Sequence, residues 1–257
     1  MSSLDHVQLV MGTGVRYALR GVADEEAGRQ ALASASAWLD RVERVFSTYR
    51  PDSAVTRLRE DRAVEVVDLP LVEEVLDRCG TAYVLTDGWF DPWSVPGGFD
   101  PSAFVKGWSL EQVGRLLAPV CTGFLVDAGG DLLVHGVPEP GRSWSVGIRH
   151  PLEAAAVAAV LALADPASTG TAVATSGAYA RGEHVVDPRT GRGAARLLSA
   201  TVVGPDPGLA DALATALFVE GLDGIDRIVD LPAYAAFLVD LDQHTWASPG
   251  LPLQAAS

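Results

Sequence analysis

Residues 4–22 read LDHVQLVMGTGVRYALRGV, and the fold turns on them. Leu4–Val10 and Val15–Val22 have the composition of strands, and Met11-Gly12-Thr13-Gly14 between them is a hairpin signal. A helix follows rather than a third strand. Asp24 can cap it, acidic residues sit in its first turn, and Leu32, Ala35, Leu39, Val42 and Phe46 recur at helical spacing. That helix ends near Ser47, ahead of a loop at Tyr49–Ser53, and a second helix is predicted from Pro70 to about Thr86. A strand pair followed by two helices is not the alternation that builds a parallel sheet.

The rest of the chain keeps to this pattern. Phe124–Asp127 and Leu132–His135 are predicted strands flanking Ala128-Gly129-Gly130-Asp131. Trp144–Arg149, Val157–Ala164, Thr171–Thr175, Leu198–Val203 and Ala235–Leu241 are further strands. Ser109–Leu117, Gly208–Glu220 and Gly224–Val229 are predicted helices, and Asp87–Lys106, dense in Gly, Pro and aromatics, is predicted irregular. The expected fold is α+β. It is one compact or bilobed unit over 1–257, made of mixed, mainly antiparallel sheets with packed helices.

Composition removes several function classes. A formal charge of -14 argues against nucleic acid and against a polybasic membrane contact. The most apolar run, Ala154–Ala164, is about half the ~20 residues that a membrane span needs. Cys79 and Cys121 make neither a disulfide framework nor a zinc site, and free thiols are expected. The N-terminal residues lack the pattern of a targeting signal, so a cytoplasmic location is expected. Of 19 basic side chains, 18 are Arg and one is Lys106; there is no Asn.

Dinucleotide-binding, Walker and nucleophile-elbow motifs are missing, and the five His show no metal spacing. Three segments carry candidate chemistry. Asp100–Gly107 places an acid and the single Lys six apart, in a loop running into a helix where a phosphate could bind. Glu183–Gly191 places His184, a natural general base, before an Asp187-Pro-Arg-Thr-Gly turn. Pro205–Thr215 places Asp211 and Thr215 on one face of a helix, where two oxygen ligands suit a hard cation such as Mg²⁺. Each segment read alone also fits a surface acid, a half-buried His or a helix-capping charge.

In order along the chain, eight segments together resemble the FAD:protein FMN transferase (ApbE, or thiamine-biosynthesis lipoprotein-like) family. They are Met11–Thr13, Phe46–Ser53, Thr86–Pro92, Asp100–Gly107, Asp127–Asp131, Ala174–Gly177, His184–Gly191 and Leu209–Leu217. The resemblance implies an enzyme that splits FAD with Mg²⁺, releases AMP and attaches FMN through its phosphate to a Thr or Ser of a target flavoprotein. Some members instead hydrolyse FAD to FMN and AMP, and a non-catalytic FAD-binding protein on the same scaffold is a third reading.

The resemblance also implies roles. Asp211, Thr215 and the Ala103 carbonyl would hold Mg²⁺. Met11, Tyr49, Trp89, Phe90, Asp91, Asp100, Lys106 and Val185 would contact FAD. His184 would take the proton of the acceptor hydroxyl. Departures from the family are Pro101, Ser102 and Ala103 in a stretch usually rich in glycine, Arg59 near a position that is often Asn, and Asp127 in place of Asn.

Overall fold

The computed structural model describes residues 2–153, 155–163, 170–177, 185–193 and 196–254. The opening hairpin forms as β1 (Ser2–Val10) and β2 (Thr13–Val22), with Val10 paired to Thr13. Its turn is only Met11-Gly12, tighter than the four-residue link read from the sequence. Both residues have positive φ, 53° and 70°, which lets a two-residue turn follow the strand twist. In α1 (Glu25–Phe46) the Asp24 carboxylate accepts from the backbone N–H of Glu26 and Ala27 at 3.0 and 3.2 Å, the expected cap.

After α1 come α2 (Ala54–Arg59), α3 (Leu69–Leu85) and α4 (Ser102–Leu117). Then follow β3 (Gly123–Ala128), β4 (Leu132–Gly136), β5 (Trp144–Arg149), β6 (Val157–Leu163) and β7 (Thr171–Gly177). The chain continues with β8 (Val186–Asp187), β9 (Arg192–Gly193), β10 (Leu197–Gly204), α5 (Pro207–Glu220), α6 (Ile225–Val229), β11 (Ala235–Asp240) and β12 (Thr245–Ala247). Among the described residues eight strands form one sheet, ordered β1-β2-β3-β4-β7-β10-β11-β12, every pair antiparallel. The architecture is the expected α+β.

Alternation along the central strands assigns the two faces. Leu133, Ala172, Ala174, Ala200, Val202, Ala236 and Leu238 point into a core shared with α1, α4 and α5. Their neighbours Val134, Val173, Val203, Phe237 and Val239 point the other way, onto the β5–β6 hairpin. A third cluster gathers the end of α1, α2, α3, the 89–108 segment and the far side of α5. So α5 is apolar nearly all round: Leu213 and Leu217 face the sheet, while Ala212, Ala216 and Val219 face the third cluster.

The boundaries hold except at short or aromatic-rich elements. Helix α4 begins at Ser102, seven residues before the expected Ser109, so Lys106 lies in a helix and not in a loop. Burial of Phe104, Val105 and Trp108 explains this, because one helical turn brings all three into the third cluster. The six-residue α2, the two-residue β9 and the three-residue β12 have no counterpart in the sequence pattern. The two cysteines are free thiols, Cys79 buried and Cys121 half-buried. Among the described residues no helix is long and apolar enough to cross a membrane.

One ionic knot fixes the start of α5. Arg78 of α3 contacts Glu111 of α4 at 2.8 and 3.0 Å and Asp206 at 2.7 Å. Asp206 in turn caps α5 by accepting from the Leu209 N–H at 2.9 Å.

Candidate active site

Helices α4 and α5 cross at Gly107. A Cβ there would lie 2.0 Å from the Pro207 carbonyl oxygen, so no side chain fits at this crossing. The contact brings the Gly107 N–H to the Asp211 carboxylate, at 3.4 Å from Oδ2. In an undisturbed helix that N–H would point at the carbonyl of Ala103. Ala103 instead departs from helical geometry, at φ -81° and ψ 16°, and kinks the first turn of α4.

Lys106, one residue before, places Nζ 2.7 Å from Oδ2 of Asp131. Asp131 arrives from the β3–β4 turn, which is held by Asp127: its Oδ1 accepts from the N–H of Gly129 and Gly130 at 3.0 and 3.2 Å. An Asp serves this purpose as well as an Asn, since only an acceptor oxygen is required. A Cβ on Gly129 would sit 2.3 Å from Thr13 Oγ1, so this turn lies directly against the β1–β2 hairpin.

These groups form one polar centre under an apolar roof. Asp211 is buried, and burial pushes its carboxyl well above the ordinary range; the neighbouring Asp131 pushes it higher, while Lys106 and the Gly107 N–H act the other way. Asp131 is buried too; its Oδ2 pairs with Lys106, and its carboxylate lies within hydrogen-bonding reach of the Asp211 carboxyl. One turn along α5, Thr215 Oγ1 lies 3.0 Å from Ser176 Oγ of β7.

The aromatic segment builds a wall beside this centre. Thr86 Oγ1 accepts from the Phe90 N–H at 3.1 Å and fixes the turn that buries Trp89 and Phe90. The Arg189 guanidinium stacks on Trp89 at 3.8 Å from the ring centroid, with Arg196 at 5.3 Å. This ties the β8–β9 hairpin to the wall. Asp91 Oδ1 accepts from the Trp93 N–H at 2.8 Å, and Asp100 Oδ1 from the Ser102 N–H at 2.9 Å. Arg59 donates to the Phe99 carbonyl at 2.8 Å and lies 3.6 Å from Asp100 Oδ2.

The candidate residues are therefore gathered unequally. Lys106, Ala103 and Asp211 meet at one helix crossing, with Thr215 on the same helix. Met11 and Val185, both half-buried, each pack against the sheet-side core and the third cluster. Tyr49 stands in solvent, 89% exposed. His184 lies outside the described residues. Asp131, Ser176 and Arg189 belong to the centre or its wall but had no role in the sequence reading. All three fall inside quoted motifs, yet no local pattern announces that an acid will be buried beside a lysine more than twenty residues away.

Among the described residues no three His, Cys, Asp or Glu side chains converge as a metal cage. The oxygen donors that do converge are a carboxylate and a hydroxyl of α5 beside a second buried carboxylate. That set fits a hard cation that keeps much of its coordination for water and substrate oxygens, as Mg²⁺ does.

A family model described as the ApbE family matches residues 11–97 and 96–238. The FAD:protein FMN transferase of Salmonella typhimurium is 30% identical over 190 residues, covering 68% of this chain and 51% of that protein. The chain thus spans about half of that relative. The FAD:protein FMN transferase of Klebsiella pneumoniae is 26% identical, over 93% of this chain and 85% of its own length. The crystal structure of the ApbE protein of Thermotoga maritima superposes with a TM-score of 0.82, at 22% identity, covering 96% of this chain and 97% of that one. The flavin transferase ApbE of Vibrio cholerae gives 0.80, also at 22% identity and with the same coverage. The fold, the order of the motifs and the family model agree, and this chain belongs to the ApbE family.

Proposed function

We propose that the chain is a Mg²⁺-dependent FAD:protein FMN transferase acting on a Thr or Ser of a target flavoprotein. The observation that carries this reading is the α4–α5 crossing. There a buried, poorly compensated carboxylate lies beside a Lys–Asp ion pair and a pair of hydroxyls. A site built only for stability would not keep two carboxylates together in the dry interior. A cation-binding site would.

Asp211, Thr215 and the Ala103 carbonyl are the residues that would hold the ion. Bound there, Mg²⁺ would polarise the FAD diphosphate and neutralise charge as the anhydride bond breaks. Lys106 would supply a positive charge to the same diphosphate. Met11, Trp89, Phe90, Asp91 and Val185 would line the flavin and nucleotide, with Asp100 and Tyr49 at the margin. His184 would take the proton from the acceptor hydroxyl as its oxygen attacks the FMN phosphorus; the bond to the AMP phosphate breaks and AMP leaves.

The purified protein with FAD, Mg²⁺ and a Thr-bearing acceptor should release AMP and add the mass of FMN less one water to the acceptor. Equal AMP and free FMN with an unmodified acceptor would make it an FAD pyrophosphatase. Bound FAD with no AMP would leave only a flavin-binding protein.

A further inference from the structure

We infer that Asp131 is a positioning residue of the FAD site, which fixes the Lys106 ammonium where the substrate's diphosphate must bind. The inference rests on the proposed function and adds a residue to it.

Several acids at turns and caps of this molecule accept backbone N–H groups, while the buried cap Asp68 is held by Arg41 and Arg44. Asp127 accepts two, and Asp24 two. Asp206 and Asp187 accept the N–H of Leu209 and Arg189, at 2.9 and 2.8 Å. Those backbone contacts fix the local chain, and Asp206 also pairs with Arg78. Asp131 differs. Its side chain is 2% exposed, it lies 2.7 Å from the Lys106 ammonium, and the Asp211 carboxyl is its other close neighbour. The β3–β4 turn is already closed by Asp127 and does not need a second carboxylate.

What Asp131 does hold is a flexible lysine. Four methylenes give Lys106 many rotamers, and the ion pair selects one of them. Lys106 is the one lysine in a chain whose other 18 basic residues are Arg.

The test is a double-mutant cycle read by FAD affinity, with EDTA present so that no metal contributes. The wild type, Asp131→Asn, Lys106→Met and the double variant are titrated with FAD by flavin fluorescence, and each is melted in parallel. Each single change should weaken FAD binding about ten-fold, and the double variant should be no weaker than Lys106→Met, because the acid acts through the lysine. If Asp131→Asn binds FAD as the wild type does, or if the two losses multiply, the inference is overturned. If Asp131→Asn alone does not fold, Lys106→Met is compared with the double variant, and any further loss of affinity in the double overturns it. A wild type that binds no FAD with or without Mg²⁺ removes the proposed function itself, a result distinct from multiplied losses.

Discussion

Burial raises the Asp211 carboxyl well above its usual range and Asp131 raises it further, with Lys106 and the Gly107 N–H offsetting part of this. The sign of the linkage follows. A carboxyl raised on folding contributes stability below its unfolded value, about 3.9, and that contribution is lost as pH rises through the folded value. In metal-free protein Asp211 therefore becomes more of a liability as pH rises. Asp211→Asn should melt higher than the wild type in EDTA at pH 8, by about 2–4 °C for each kcal/mol relieved. The gap should shrink toward pH 4, and Mg²⁺-dependent AMP release should disappear. A variant that melts lower at pH 8 would show that the carboxylate is satisfied without a cation. The Asp211/Thr215 spacing was legible at this scale because four residues on a helix define a face. The depth of the burial was not, because it depends on Ala212 and Ala216 being small enough for α4 to approach.

At the scale of elements, the site exists because two helices touch without side chains between them. Gly107→Ala would drive a methyl into the Pro207 carbonyl, and in a packed core such insertions cost about 1–3 kcal/mol. Gly80 in α3 gives the contrast: a Cβ there meets nothing, so Gly80→Ala should gain up to about 1 kcal/mol from helix propensity alone. Urea unfolding of both variants checks the pair, and equal shifts would refute a close crossing. The long periodic elements (the first hairpin, α1, α3 and the paired strands) could be read from sequence because each repeats its pattern over several turns or pleats. The start of α4 could not. Its first residues share the Gly, Pro and aromatic composition of the preceding loop, and only Phe104 and Trp108 packing against α5 makes them helical. Short α2 and β12 carry too few residues for any period to show.

At the scale of the whole molecule, charge acts in two ways that oppose each other. The chain carries a formal -14 and its proposed substrate is an anion, so the far field repels FAD. Cations near the site would attract it, but each has a local counter-charge. Lys106 pairs with Asp131 at 2.7 Å, Arg189 with Asp87 at 3.5 Å and Arg196 with Asp187 at 3.9 Å. With those cations compensated, the net field of the chain governs the approach. Salt shortens its reach, from about 30 Å at 0.01 M to about 8 Å at 0.15 M ionic strength. The association rate of FAD, followed by stopped-flow fluorescence in metal-free buffer, should therefore rise as KCl is added over that range. That is the reverse of the salt dependence of an anion steered by a basic cleft. A rate that falls with salt would mean that the arginines around Trp89 act as a free basic funnel, and that the ion pairs with Asp87 and Asp187 give way when the substrate arrives.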